Sequence, residues 1–313
     1  MYRKLVLSTI VSIYILILAG GIVRASGSGM GCPDWPKCFG LWIPPTNESQ
    51  LPDNYKLIYS TQYHEVKEFN ALKTWTEYIN RIIGVIIGLL TLSTALLSIK
   101  LFKKDKWITI LSFLSLLIVI LEGWLGSVVV YYNLKPIIVT LHMLFAIVIV
   151  SILFVTYLRT INFNQQNLIS LPKKLQNLLY LLIILSTIQV LLGTQVRQKV
   201  DVVSNYLSEK FYIEEIGLVF YLHRSLSSLV TVLLLIWIYK TYNHIKHIVL
   251  IRRSMALLVT SFIVVITAGI ILNYLGFPQW AQPIHLTFGC IYIGLLIFVS
   301  LAILKLQTKN SFS

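Results

Sequence analysis

Acidic residues are scarce in this chain. There are 12 Asp and Glu among 313 residues, against 26 Lys and Arg, and charged residues together make up 12%. So little charge excludes an ordinary soluble surface, since a soluble domain has about a quarter of its residues charged. Cysteine is nearly absent as well, at three. Two of the three, Cys32 and Cys38, stand together in CPDWPKC, but two thiols are half a tetrahedral shell and no neighbouring residue completes a zinc site. What fills the chain instead is apolar: 57% hydrophobic residues and a mean hydropathy of +0.78. This composition is that of an integral membrane protein.

Apolar runs of about 20 residues, the length that crosses a bilayer, fall at 5–23, 77–99, 107–130, 137–158, 175–196, 217–239, 254–275 and 284–304, predicting eight transmembrane helices. Arg3 and Lys4 before the first run imitate a signal peptide. The run is long for one and lacks a small-x-small cleavage site, so an uncleaved first helix is expected. Lys and Arg cluster at 3–4, 100–106, 159–174, 240–253 and 305–309, where Asp105 is the single acid. This is the positive-inside pattern. It places both termini in the cytoplasm and accounts for the net charge of +14 without nucleic acid.

One phrase is written twice. TEYINRIIGVIIGLL (76–90) and FYLHRSLSSLVTVLLL (220–235) each open an apolar run. A shift of 143 positions (80 to 223) carries Asn80 onto His223, Arg81 onto Arg224, Gly126 onto Gly269 and His142 onto His285 without a gap. Helices one to four therefore recur as five to eight. Arg24 and Arg197, each closing the first apolar run of its half, are related by a longer shift of 173 (24 to 197). The first half thus carries an insertion in its first external loop, and CPDWPKC lies in it. Four helices per half, an even number, make both halves run in the same sense, related by a pseudo-two-fold axis along the membrane normal. The expected fold class is an all-α integral membrane protein of eight transmembrane helices in two tandem four-helix bundles. The N-terminal half covers 1–160, with a long external loop at 24–75, and the C-terminal half covers 161–313.

In each half the second and fourth helices carry polar residues close to the external surface. His142 lies six residues after Pro136, ~9 Å into its helix at ~1.5 Å per residue, and Asn80 lies at a similar depth. His223 and His285 repeat the arrangement. Two histidines on facing helices at matching depth suit axial ligation of a haem iron in an apolar slot. Arg81 and Arg224 are placed to meet a haem propionate. Arg24 and Arg197 either do the same or anchor helix ends at the interface. A lone transmembrane histidine is equally explained by a hydrogen bond to a neighbouring helix, worth about 0.6 kcal/mol; repetition is what favours a metal. His64, His244 and His247 have no repeat counterpart and read as solvated.

Glu77, Asn80 and Arg81 fall at i, i+3 and i+4 on one helical face, where the second copy offers Phe220, His223 and Arg224. A carboxylate entering a membrane is costly and points to function, with a solvated cap as the alternative for Glu77. Glu122 is deeper and its counterpart is Val265; a neutral acid hydrogen-bonding across the bundle explains it equally. Gly84 and Gly88 have the spacing of a close helix contact. A disulfide between Cys32 and Cys38 would close a short proline-constrained loop in an oxidising compartment, while Cys290 reads as a buried apolar residue.

GGIVRASGSGMGCPDWPKC (20–38), TEYINR (76–81), LHM (141–143), FYLHR (220–224) and PIHL (283–286), in this order on eight helices, resemble the haem A synthase family of cytochrome oxidase assembly proteins. The resemblance covers nearly the whole chain. It implies a membrane oxidoreductase that oxidises the C8 methyl group of haem o to a formyl group by successive hydroxylations, the geminal diol losing water. It implies further that His223 and His285 hold a permanent haem b that passes electrons, that the first half, with His142, receives haem o, and that Glu77 matches the family's essential acid. This sequence departs from the pattern twice. The family commonly has histidine where Asn80 stands, and many bacterial members have a second cysteine pair that 197–216 lacks. The expectation is that His142 alone leaves an axial position for oxygen, water or a weak ligand, with Glu77 one helical turn away to move protons. The second copy would then be a wire and the first a reaction chamber.

Two other classes fit part of the pattern. A two-haem cytochrome b linked to quinol would use the duplicated histidines and leave Glu77 and the insertion without a task. A transporter of parallel repeats would carry its polar groups near the membrane midplane, whereas these lie near one surface. The expected partners are haem o, a haem o synthase (farnesyltransferase), a membrane electron donor, lipid and a second copy of the chain, in the cytoplasmic membrane of a bacterium.

Overall fold

The computed structural model describes residues 1–60, 68–163, 169–204, 206–208 and 211–307; His64 lies outside them. Eight long helices dominate: α1 Tyr2–Ala25, α2 Ala71–Ser98, α3 Lys106–Tyr131, α4 Pro136–Arg159, α5 Lys173–Val203, α6 Leu218–Ile245, α7 Val249–Tyr274 and α8 Ala281–Gln307. All eight, with a 3₁₀ turn extending α2 to Leu101, are long and apolar enough to cross a membrane. Among the described residues there is no strand, only an isolated bridge between Cys38 and Leu41.

Helix ends follow local chemistry rather than the limits of the apolar runs. The run predicts a second helix from 77, yet α2 begins at Ala71 because Asn70 Oδ1 accepts the Lys73 N–H at 3.0 Å and caps it. Asp105 caps α3 in the same way, accepting from Trp107 N at 3.0 Å. Pro136 opens α4, where its missing N–H costs nothing. Helix α5 runs past Arg197 to Val203, beyond the predicted 196, because Val196, Val200 and Val203 pack with Tyr212, Ile216, Phe220 and Phe277 in a buried apolar cluster. Gly217, at φ 65°, then turns the chain into α6, a conformation that suits glycine.

The chain divides into two compact units. Unit 1 comprises Met1–Leu153 with Gln282–Leu286, and unit 2 comprises Phe154–Ala281 with Thr287–Ser313. In unit 1, α1 meets α2 through the Thr9 and Thr94 hydroxyls at 3.0 Å and α3 through Tyr2 and Ser112 at 2.6 Å. Gly21 of α1 lies so close to Pro283 that a Cβ there would come within 3.1 Å of it. In unit 2, Trp237 Nε1 of α6 donates to Leu175 O of α5 at 3.0 Å, and Phe262 of α7 packs on Tyr292 of α8. Lys305 of α8 donates to Leu158 O at 2.6 Å and Ile161 O at 2.8 Å, satisfying carbonyls at the end of α4.

Candidate functional site

The insertion after α1 is a folded loop seated on the first turns of α2. Gly31 lies against the helix backbone, and a Cβ there would stand 2.5 Å from Lys73 O, so only glycine fits. Thr74 Oγ1 donates to Gly31 O at 2.8 Å. Cys32 and Cys38 are at disulfide-bonding distance, their Cα atoms 4.9 Å apart, and both are buried with Phe39 and Tyr55. The Asp34 carboxylate accepts from Phe39 N at 2.5 Å and Gly40 N at 2.8 Å. The Phe39 ring meets Tyr55, Tyr59 and Phe69 edge-on. Further along, Tyr78 OH donates to Trp42 O, and Trp75 Nε1 donates to Pro45 O at 3.2 Å.

Beneath this loop sit Glu77 and Arg81. Glu77 is 4% exposed, so it is no solvated cap. Its Oε2 accepts the Cys32 N–H at 3.0 Å. Its Oε1 accepts from Arg81 Nε at 3.2 Å and from Arg81 Nη2 at 2.5 Å. The remaining guanidinium hydrogens go to loop carbonyls: Nη1 to Asp34 O at 2.7 Å and Lys37 O at 2.9 Å, and Nη2 to Cys32 O at 3.1 Å. An arginine has five N–H donors, and all five are used. Arg81, expected at a propionate, is here the clasp of the CPDWPKC loop. In the second copy Arg224 has no such loop to hold. Its guanidinium lies over Tyr221 at 5.4 Å and over Phe220, the counterpart of Glu77, at 6.0 Å.

The two copies agree at one glycine of the first helix. The shift of 173 that relates Arg24 to Arg197 also carries Gly20 onto Gly193. In unit 1, a Cβ on Gly20 would stand 4.0 Å from Asn80 Oδ1, a buried atom without a hydrogen-bond partner among the described residues. In unit 2, a Cβ on Gly193 would stand 3.3 Å from His223 Cε1. Gln189 Nε2 donates to His223 O at 2.8 Å. In both units, then, a glycine of the first helix faces position 80 or 223 of the second.

His142 lies within α4, and its Nδ1 is 2.6 Å from Glu122 Oε2 on α3. The His142 side chain is 43% exposed and that of Glu122 12%. His285 is in the Gln282–Leu286 segment of unit 1 and His223 is in unit 2. Arg197 Nη1 pairs with Asp201 Oδ1 at 2.6 Å, and Arg24, in the last turn of α1, is half-buried. An open cleft of about 280 Å³ runs between Pro33–Trp35 and the end of α3 at Ser127–Tyr131. Cys290 is buried, as expected. Gly84 and Gly88 correct the sequence reading: among the described residues nothing stands within 4 Å of a Cβ on either. Their spacing alone does not make a contact, because neighbours on that stretch, Val85, Ile86 and Leu89, are themselves exposed.

The donor chemistry suits a haem. A neutral imidazole is an axial iron ligand. His142 turns Nδ1 to Glu122, so Nε2 is the nitrogen that could reach a metal, and the glycines at 20 and 193 let the side chains at positions 80 and 223 lie close against the first helix of each unit. A family model, COX15-CtaA, described as a cytochrome oxidase assembly protein, matches residues 3–297. The chain belongs to this family. Among curated relatives, a heme A synthase of Shewanella oneidensis is 32% identical over 170 residues, 54% of this chain and 48% of that protein. A heme A synthase of Exiguobacterium sibiricum is 30% identical over 185 residues, 58% of this chain and 54% of that protein. One from Shouchella clausii is 24% identical over 273 residues, 82% of each. The chain thus spans about half the length of the first two relatives. Within this COX15-CtaA chain, sequence reading missed the Glu122–His142 pair and the five-donor clasp. It also passed over the recurrence of Gly20 at Gly193, although the shift of 173 carried that signal.

Proposed function

We propose that this COX15-CtaA protein is a haem A synthase of a bacterial cytoplasmic membrane. It oxidises the C8 methyl group of haem o to a formyl group by successive hydroxylations, the geminal diol losing water. The observation that carries this reading is His142 in unit 1, a partly exposed imidazole paired with the largely buried acid Glu122, in a chain of this family. His142 binds haem o through Nε2. Asn80, whose Oδ1 is buried without a partner, is a poor iron ligand and accepts a hydrogen bond from water or hydroxyl at that position. Glu77 acts from a clamped position: its ion pair with Arg81 keeps the loop on α2, and taking up a proton weakens that pair. His223 and His285 are assigned to a resident haem b, which supplies one-electron chemistry when bound. Arg24, Arg197 and Arg224 remain candidates for propionate contact, whereas Arg81 has no N–H left for it. Both termini are placed in the cytoplasm and the haem sites toward the external face, as the distribution of Lys and Arg supports.

The test is to supply purified full-length protein with haem o and an electron donor, extract the pigments and separate them. Haem A, or the alcohol that precedes it, is expected. Recovery of unchanged haem o alongside reversible haem reduction would instead favour the two-haem cytochrome b reading. His223→Ala or His285→Ala should remove the low-spin spectrum of the resident haem, and a normal spectrum in either variant refutes its assignment.

A further inference from the structure

We propose that Glu122 is a positioning residue for His142. Its carboxylate accepts the Nδ1–H of the ring and so fixes which edge, Nε2, faces the iron of the haem bound in unit 1. This rests on the reading of His142 as an axial ligand. The contact of 2.6 Å joins two consecutive helices, α3 and α4. Depth separates the two groups: the acid is 12% exposed and the ring 43%, so the carboxylate holds the inner edge of the ring and leaves the rest open. Glu122 Oε1 is buried without a hydrogen-bond partner among the described residues, so the approach of Oε2 to His142 Nδ1 is what offsets the cost of a carboxylate with so little water.

Two further observations give the pair its meaning. The other acid on the helices α1–α4, Glu77, is committed to Arg81 and the Cys32 N–H, so Glu122 is the one that serves His142. The repeat places Val265 at the position of Glu122, and its side chain can accept no hydrogen bond. The device therefore belongs to the copy that has Asn80 in place of a second imidazole. A ligating histidine commonly gives its outer N–H to a carboxylate or carbonyl, which fixes its tautomer and raises its donor strength. Where one imidazole replaces two, orientation and donor strength both depend on that single ring.

The experiment compares wild type, Glu122→Leu, Glu122→Gln and His142→Ala as full-length proteins titrated with haem o. The spectral component that His142→Ala abolishes is assigned to unit 1. For that component, Glu122→Leu is expected to weaken haem o binding on the order of 10-fold, the usual effect of losing such a partner. Its reduction potential should rise and its ferrous iron–imidazole stretch should fall in frequency. Glu122→Gln keeps an acceptor oxygen, so it should bind haem o nearly as wild type does while showing a smaller shift in the same directions. An unchanged spectrum of the resident haem assigned to His223 and His285 shows that the variants are folded, and if the leucine variant is not, the glutamine variant carries the test. Unchanged potential and stretch in a folded Glu122 variant would mean that the acid only ties α3 to α4, overturning the proposal while leaving His142 as ligand. A unit 1 spectrum that survives His142→Ala overturns the ligand reading itself.

Discussion

Glu77 and Phe220 stand at one position of the repeat, and each meets the guanidinium four residues on. In unit 1 the contact is an ion pair that also draws in the Cys32 N–H, whereas in unit 2 the arginine lies over aromatic rings. One charge at one position thus separates a loop-binding site from an apolar one. Glu77→Gln keeps the size and an acceptor oxygen while removing that charge. Haem A formation should stop or stall at the alcohol with the resident haem b spectrum intact, as pigment extraction would show; haem A at the normal rate would refute the assignment. Asn80→His would give unit 1 the imidazole that the repeat has at His223. Gly20, whose Cβ would stand 4.0 Å from Asn80 Oδ1, adds no side chain beside that position, so on the proposed function the substrate haem should become six-coordinate and low-spin, visible in its optical and electron paramagnetic spectra. Two strong nitrogen ligands already present in wild type would contradict this. The correspondence of His142 with His285, and of Asn80 with His223, was legible in the sequence because one shift aligns both pairs. The Glu122–His142 pair was not, because its acid occurs in one copy and its partner lies on another helix.

At the scale of elements, the loop 26–60 and the first turns of α2 form one structure. Six loop acceptors are backbone carbonyls, at Gly31, Cys32, Asp34, Lys37, Trp42 and Pro45, and carbonyls leave no mark in a sequence. CPDWPKC announced a constrained loop but not what held it. Removing the cation strands a buried carboxylate, which costs about 3–5 kcal/mol. Arg81→Leu should therefore lower the thermal midpoint and open residues 31–40 to proteolysis, and equal protease resistance in variant and wild type would exclude the clasp. Cys32 and Cys38 are expected to be linked and Cys290 to be free. Mass mapping of protein prepared without reductant decides this, and two alkylatable thiols at 32 and 38 would count against it. Unit 2 lacks the insertion and instead packs Phe220 into the apolar cluster of Val196, Val200, Tyr212 and Phe277.

For the whole molecule, hydropathy alone located all eight spans, because in a bilayer every crossing element must satisfy its backbone internally and be apolar over a fixed length. The division into units was less legible. The start of α8, Gln282–Leu286, falls in unit 1, where Pro283 meets Gly21, and such a contact follows from packing rather than from any local pattern. Orientation remains a matter of charge: single cysteines placed at Asn47 and Lys104 should react with an impermeant reagent from outside and only after lysis, respectively. The reverse labelling pattern would overturn the assigned topology. The clasp also bears on how the chain is made. Every group it uses, from Gly31 to Arg81, precedes α3, and membrane chains are synthesised from the N-terminus onward. The first helical hairpin therefore holds all the parts of its own lock before the third span leaves the ribosome. The loop is free to close, and its thiols to be oxidised, on a nascent chain that has made only two of its eight long helices.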